Sequence, residues 1–307
     1  MGRRGSRRGQ AVDGLLLLDK PVGPTSHFAC EGVRRALEAQ KAGHTGTLDP
    51  MASGLLEICL GRATRLVPFL QADHKTYEAT LRLGQGTDTL DAEGEVIVTD
   101  PAAWVAGVDA ARFAACLPAF LGSIEQRPPA FSAIKVDGQR LHALARAGEV
   151  VEAPLRIVEI HELELVSAAA PDFTFRVRCG KGTYVRSLGR DIAAALGGHG
   201  HLVALRRLAN GARRVDEAVT LDEVKAEPAT ALGRVLSLAD AVAHLPTLEL
   251  AHAALDDVRH GRPFQVPVTA ALPLARVLDG EGRLLALVSV SGEGEGKVER
   301  GFPPAAP

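Results

Sequence analysis

Aromatic side chains are scarce, at 4% of the 307 residues, with two tyrosines and one tryptophan. A tyrosine close to candidate chemistry therefore weighs more than usual. There is no surplus of basic charge: 35 Lys and Arg stand against 37 Asp and Glu, a formal net charge of −2. Such a balance gives no pointer to a polyanionic partner, although net charge governs solubility and steering and leaves room for a local basic groove. The four cysteines, Cys30, Cys59, Cys116 and Cys179, are far apart and form no C-x-x-C pair. That spacing argues against a disulfide framework or a zinc site and for reduced thiols in the cytoplasm. Long apolar runs are missing too. Leu15 to Leu18 stops at Asp19, too short for a signal core or a membrane span. The first residues, MGRRGS, match a myristoylation pattern beside a basic patch. So short a pattern arises easily by chance, and a disordered basic arm over residues 1–12 accounts for the arginines equally well.

What is present is 46% hydrophobic residues, enough for a sizeable core, and 23% charged residues, ordinary for a globular chain. Residues Gly14 to Lys20 read as a buried strand, and Cys30, Val33 and Leu37 recur at helical spacing. Leu55 to Leu60 reads as a strand and Ala63 to Leu70 as a short helix. From Lys75 to Leu83 the pattern alternates, with Tyr77, Ala79, Leu81 and Leu83 on one side; Phe173 to Cys179 behaves likewise. Val158 and Ile160 alternate out of phase with Leu163 and Leu165, which a bulge near His161 explains. Helical patterns lie near 109–120, 139–147 and 188–196. Adjacent strands outnumber crossover helices, so the fold class is α+β with a mixed, largely antiparallel sheet. The Ala-, Pro- and acid-rich stretch Glu217 to Pro246 reads as a link. Beyond it a short helix (His252 to His260) and β runs such as Leu284 to Val290 suggest a small strand-rich module, with a Gly- and Glu-rich tail from Gly292 expected to fray.

The richest stretch is Gly43-His44-Thr45-Gly46-Thr47-Leu48-Asp49-Pro50. Its glycines permit a tight turn and close approach of a ligand. The proline after Asp49 biases that residue to extended backbone and so limits where its carboxylate points. A fixed carboxylate on a loop serves as nucleophile, base or electrostatic stabiliser. A bare Asp-Pro pair is more often a turn corner. The octapeptide and its companions decide otherwise. GHTGTLDP with MASGLL resembles the catalytic motif of the TruB family of tRNA pseudouridine synthases. GLLLLDKPVGPTS resembles that family's N-terminal strand and turn, KTYEATLRLGQGTDTLDAEG its second motif and GKGTYVRSLGRD its third. LGSIEQRPPAFSAIKVDGQRLHALARAGE resembles the inserted thumb, and residues 246–307 resemble a PUA domain. Four blocks in register over about residues 13–225 are far more specific than any single motif.

The resemblance implies a catalytic domain over 13–240 with a thumb at about 124–152. It implies Asp49 as nucleophile on the T-loop uridine at position 55 of tRNA, with attack at C6 or at C1′ left open. Tyr77 is expected to stack on the uracil and Tyr184 to line the same site. Arg186 is expected to pair with Asp49, which places the start of the following helix after Arg186, since a helix would set 184 and 186 about 200° apart. Leu205 is expected to meet the base through its backbone, and His44 to fill the gap left by the extruded nucleotide. His44 has no second ligand at i+3 or i+4, so zinc is not expected. Lys20 is either a hydrogen-bonding support, a phosphate contact or a solvated lysine, and Asp91 either completes an ion network with Arg186 or serves a turn. His199 and His201 are expected to have no chemical part. Arg127, Lys135, Arg140, Arg146, Arg206, Arg207, Arg213 and Arg214 are candidates for phosphate contacts. The isomerisation keeps every atom and is redox-neutral, so neither cofactor nor metal is expected. The partner is the tRNA T-stem loop, without membrane or obligate protein partner, and the chain is expected to act as a monomer. The rival readings are an RNA-guided synthase of the dyskerin type and an RNA-folding factor without catalysis.

Overall fold

The computed structural model describes residues 9–129, 135–136, 139–140, 153–267 and 270–302. Residues 1–8 of the arm expected over 1–12, and Arg146 with most of the expected thumb, lie outside the described residues, while Gln10 of that arm bridges to Ala39. In chain order the first strands are β1 (Gly14–Lys20), β2 (Ala42–His44), β3 (Ala52–Leu60) and β4 (His74–Leu83). A short pair follows, β5 (Gln85–Thr87) and β6 (Val96–Thr99), then β7 (Gly122–Gln126). Strands β8 (Lys135–Val136) and β9 (Gln139–Arg140) pair with each other, so a helix expected near 139 begins in a hairpin instead. Next come β10 (Arg156–Ala169), β11 (Asp172–Gly180), β12 (Gly200–Asn210), β13 (Arg213–Arg214) and β14 (Val219–Thr220).

The large sheet runs in the order β14-β1-β3-β12-β4-β11-β10-β7, with β2 beside β3 and β13 beside β12. Among the described residues, the β1–β14 and β3–β12 pairs of this sheet are parallel and its other pairs antiparallel. Why β1 is an unbroken run of leucines is now clear: both of its faces are covered. Leu16 and Leu18 enter one core with the helices Ser26–Ala36 and Val185–Ala195, while Leu15 and Leu17 enter another with Leu238, Leu284 and Phe302. Each such leucine contributes about 1.5–3 kcal/mol on burial. Strand β4 alternates because its second face meets water, where Arg82 pairs with Asp172 and Thr80 meets Thr174 across the β4–β11 register. The register slips between Ile160 and Glu162, the irregularity that the pattern around His161 implies.

Three sequence readings need correction. The 63–70 helix is two 3-10 turns, Gly61–Arg65 and Val67–Phe69, separated ahead of Pro68. The 217–246 segment is not an open link. It supplies β14 and the helices Leu221–Ala226, Pro228–Leu232 and Leu238–Ala241, and Leu236 exchanges two backbone hydrogen bonds of 2.9 Å with Leu15. The described part of the tail is paired into a sheet: β15 (Phe264–Gln265), β16 (Leu272–Leu278), β17 (Leu284–Val290) and β18 (Glu295–Gly301) form a second, antiparallel sheet. The helix His252–Arg259 packs on that sheet through Val258, and Phe302 is buried in the core shared with β1 and β3.

Candidate active site

The loop between β2 and β3 carries Asp49 and is clamped from both sides. Ser26, at the start of the first helix, donates through Oγ to the Leu48 carbonyl (2.9 Å) and accepts from the Leu48 amide (2.7 Å). The Gly23 amide donates to the Pro50 carbonyl (2.8 Å). Gly54, just past the loop, has φ +100°, and a side chain there would lie 2.3 Å from the Arg207 carbonyl, so β12 can pass this close only to a glycine. These restraints fix the Asp49 backbone before any ligand arrives.

Lys20 accounts for much of the clamp. It is 0% exposed, and its ammonium donates to the carbonyls of Pro21 and Pro24 at 2.8 Å each and reaches that of Pro50 at 3.5 Å. The phosphate-contact and solvated readings are thereby overturned: the group supports the loop from beneath. Burial lowers its pKa to about 8, against the opposing pull of Asp49 and Glu93.

Asp49 and Arg186 meet at 3.0 Å through Oδ2 and Nη2, with side-chain exposures of 38% and 6%. Nη1 of the same guanidinium bonds Asp91 Oδ2 (3.0 Å) and the Thr89 carbonyl (2.8 Å). Asp91 is itself fixed: its Oδ1 accepts from Thr89 Oγ1 (2.6 Å) and from the Glu93 amide (3.1 Å). One forked cation thus bridges an exposed carboxylate and a buried one, a geometry open to arginine and closed to lysine.

The helix bearing Arg186 starts at Val185, not after Arg186. Tyr184 is its N-cap, with extended backbone (φ −102°, ψ 107°), and its amide donates to Gln126 Oε1 (2.7 Å). The turn of about 100° per residue applies only inside a helix. An extended cap followed by a first helical turn lets Tyr184 and Arg186 line one cleft without a continuing strand. A cation in a first helical turn opposes the helix dipole, and the two carboxylates offset this.

The cleft occupies about 690 Å³ and brings together Asp49, Tyr77, Asp91, Tyr184, Arg186 and Leu205. Tyr77 projects from β4 into the core side, and burial raises its pKa while the Arg207 charge opposes that shift. Leu205 lies on β12 opposite Ala79 of β4 and Ala52 of β3. His44 does not line the cleft. It sits on β2 opposite Ile58, its Nδ1 buried with no hydrogen-bond partner, and burial, with Arg207 and His27, lowers its pKa. Among the described residues no group of three His, Cys, Asp or Glu side chains is arranged to hold a metal ion. His199 pairs with Asp100 and His201 bonds the Gln85 carbonyl, both outside the cleft.

Three of the seven arginines expected at phosphates, Arg206, Arg207 and Arg213, are engaged within the protein instead. Arg206 makes two bonds to Asp19 (2.9 and 2.6 Å), Arg213 pairs with the buried Glu57 (3.1 Å), and Arg207 is 2% exposed beneath the loop. Arg214 contacts Asp216 at 3.3 Å at the surface. The cleft also contains Lys75, Glu93, Thr183 and Arg207, which sequence reasoning did not assign to it. For Arg207 the signal was available. If Leu205 faces the cleft, the residue two further along the same strand does too.

The comparisons bear directly on this geometry. A family model described as TruB family pseudouridylate synthase (N terminal domain) matches residues 34–185. The tRNA pseudouridine synthase B of Burkholderia mallei is 46% identical over 289 residues, covering 92% of this chain and 94% of that protein. The chain belongs to the TruB family. The tRNA pseudouridine synthase B of Aromatoleum aromaticum is 49% identical over 284 residues, covering 92% of this chain and 90% of that one. Among solved structures, a chain of a Cbf5-Nop10-Gar1 complex superposes with a TM-score of 0.73 at 27% identity, covering 95% of this chain and 86% of that one. The activity is therefore that of a tRNA pseudouridine synthase, an isomerase, and the reading as an RNA-binding factor without catalysis falls away. No helix among the described residues is long and apolar enough to cross a membrane.

Proposed function

We propose that the chain isomerises the T-loop uridine at position 55 of tRNA, with Asp49 as nucleophile acting on a nucleotide swung out of its stack. The observation carrying this is the carboxylate of Asp49, held 3.0 Å from a buried arginine and lining the cleft. In the net reaction the bond from uracil N1 to C1′ breaks and one from C5 to C1′ forms. C5 gives up its proton and N1 gains one, so atoms and electrons balance without an external reagent. The nucleophile needs a fixed direction, which the bridging guanidinium and the clamped loop supply.

A cleft of about 690 Å³ is large enough for one nucleotide and cannot admit a stacked helix, so the target has to be extruded, at a cost of a few kcal/mol. Stacking on Tyr77 offsets this by about 1–3 kcal/mol, by analogy with single-strand sites. Tyr184 bounds the same cleft, the Leu205 backbone meets the base, and Asp91 with Arg186 keeps the nucleophile aimed. His44, beside the cleft on β2, enters the space the base vacates. Lys20 acts through the loop and touches no substrate. Residues 13–240 form the catalytic domain, about 124–152 the thumb, and 246–307 a PUA-like module.

Stand-alone action on tRNA is preferred over an RNA-guided mode because the thumb-like segment lies within the chain itself. The test is direct: purified protein alone is incubated with a bare tRNA transcript and pseudouridine is mapped by position. Conversion at the T-loop uridine is expected; conversion elsewhere, or only with added guide RNA or protein, refutes the proposal.

A further inference from the structure

Arg207 is a buried cation that the reaction scheme leaves without a task. It is 2% exposed, and among the described residues no carboxylate lies within 4.0 Å of its guanidinium. A charge so placed is costly unless hydrogen bonds satisfy it. Two of its five N–H donors reach backbone carbonyls: Nε donates to that of Leu55 (2.7 Å) and Nη2 to that of Gly46 (3.3 Å). Those two carbonyls flank the Asp49 loop, one at each end. Arg207 lines the cleft together with Tyr77. The two residues stand directly opposite each other in the β12–β4 register. A Cβ added at Gly46 would sit 3.7 Å from Nη1, so the loop and the guanidinium are in van der Waals contact.

We infer that Arg207 is a positioning residue of the isomerisation: one guanidinium staples both ends of the Asp49 loop and donates to the Tyr77 hydroxyl, setting nucleophile and stacking ring in register. This rests on the proposed part of Tyr77 and adds what holds that ring in place. Burial of the phenol, opposed by the neighbouring guanidinium charge, agrees with such a contact. The adjacent Arg206 points to the opposite face and is spent on Asp19, so the two neighbours serve as each other's control.

The experiment is a double-mutant cycle on the single-turnover rate with a T-stem-loop RNA, using wild type, Arg207→Met, Tyr77→Phe and the pair. Arg207→Met is expected to slow the rate about a hundredfold, as misplacement of a reacting group does. RNA affinity, read in parallel, stays close to that of wild type. In the Tyr77→Phe background the same substitution is expected to cost at least about fivefold less, the mark of coupled residues. Equal factors in both backgrounds, or a loss confined to RNA affinity, overturn the inference. If Arg207→Met does not fold, Arg207→Lys, which keeps the cation but cannot bridge three acceptors, enters the same cycle with the same criteria. Inactive wild type would overturn the enzyme reading itself, whereas active wild type with equal factors would overturn only the part assigned to Arg207.

Discussion

Replacing Arg186 with lysine keeps the charge and removes the fork. In the native site Nη2 holds Asp49 and Nη1 holds Asp91, each at 3.0 Å, while Nη1 also bonds the Thr89 carbonyl. A lysine ammonium is a single point and reaches one carboxylate at a time. The two losses fall on different observables. Asp91 is 4% exposed at its side chain, so weakening that half of the bridge strands a buried charge. The expected drop in unfolding free energy is about 2–4 kcal/mol, between one charge-assisted hydrogen bond and a broken buried pair. Asp49 is 38% exposed and water replaces much of what it loses, so its half contributes little to stability. What it loses is direction, and a misdirected nucleophile costs about a hundredfold in rate, or roughly 2.7 kcal/mol of barrier. Urea unfolding measures the first quantity and single-turnover pseudouridine formation the second, with RNA affinity as the control. Affinity should stay within about threefold, because phosphate contacts dominate it. A single-turnover rate within about threefold of wild type would refute the reasoning, since a point charge would then serve as well as a fork.

Other expectations are as definite. Tyr77→Leu should slow the chemical step by far more than it weakens RNA binding, and an unchanged single-turnover rate would count against stacking in the transition state. Arg206→Gln should leave the salt dependence of RNA affinity unaltered because its guanidinium is spent on Asp19; a slope smaller by about one unit would put that arginine on a phosphate. Lys20 releases its proton near pH 8 in the folded chain and near 10.5 when unfolded. Between those values the unfolded chain binds more protons, so this group's contribution to stability rises with pH, by at most about 1.4 kcal/mol per unit. Urea titrations at pH 7.5 and 9.5 should therefore show wild type gaining on Lys20→Met; a difference that does not change with pH contradicts the buried-ammonium assignment.

Much of this architecture can be read from residues alone, and the exceptions have physical causes. Strands β4 and β11 are legible because one face meets water and the other the core, so apolar residues alternate. Strand β1 is legible as a run but gives no hint of which leucine faces which core, since both faces are covered. The 217–246 stretch has the composition of a link, yet it holds a capping box from Thr220 to Glu223 and a capped turn at Ser237, local signals that outrank bulk composition. The pairing of Asp49 with Arg186 is implied by the family resemblance, whereas the helix start is not legible, because Tyr184 is an extended cap where no regular periodicity holds. Lys20 was undecidable because burial of a lysine depends on backbone carbonyls converging from Pro21, Pro24 and Pro50, and no side-chain pattern records them. Arg206, Arg207 and Arg213 read as phosphate contacts for the same reason. Their acceptors, Asp19, the Gly46 and Leu55 carbonyls and Glu57, are distant in sequence.

The measurement that bears most directly on Asp49 is single-turnover conversion of a T-stem-loop RNA by wild type and by Asp49→Asn, with binding measured on the same RNA. The substitution keeps the size of the side chain and removes its charge. No detectable pseudouridine, with affinity within about tenfold of wild type, is the predicted result. Substantial turnover by Asp49→Asn would contradict the assignment of the nucleophile and all that is built on its contact with Arg186.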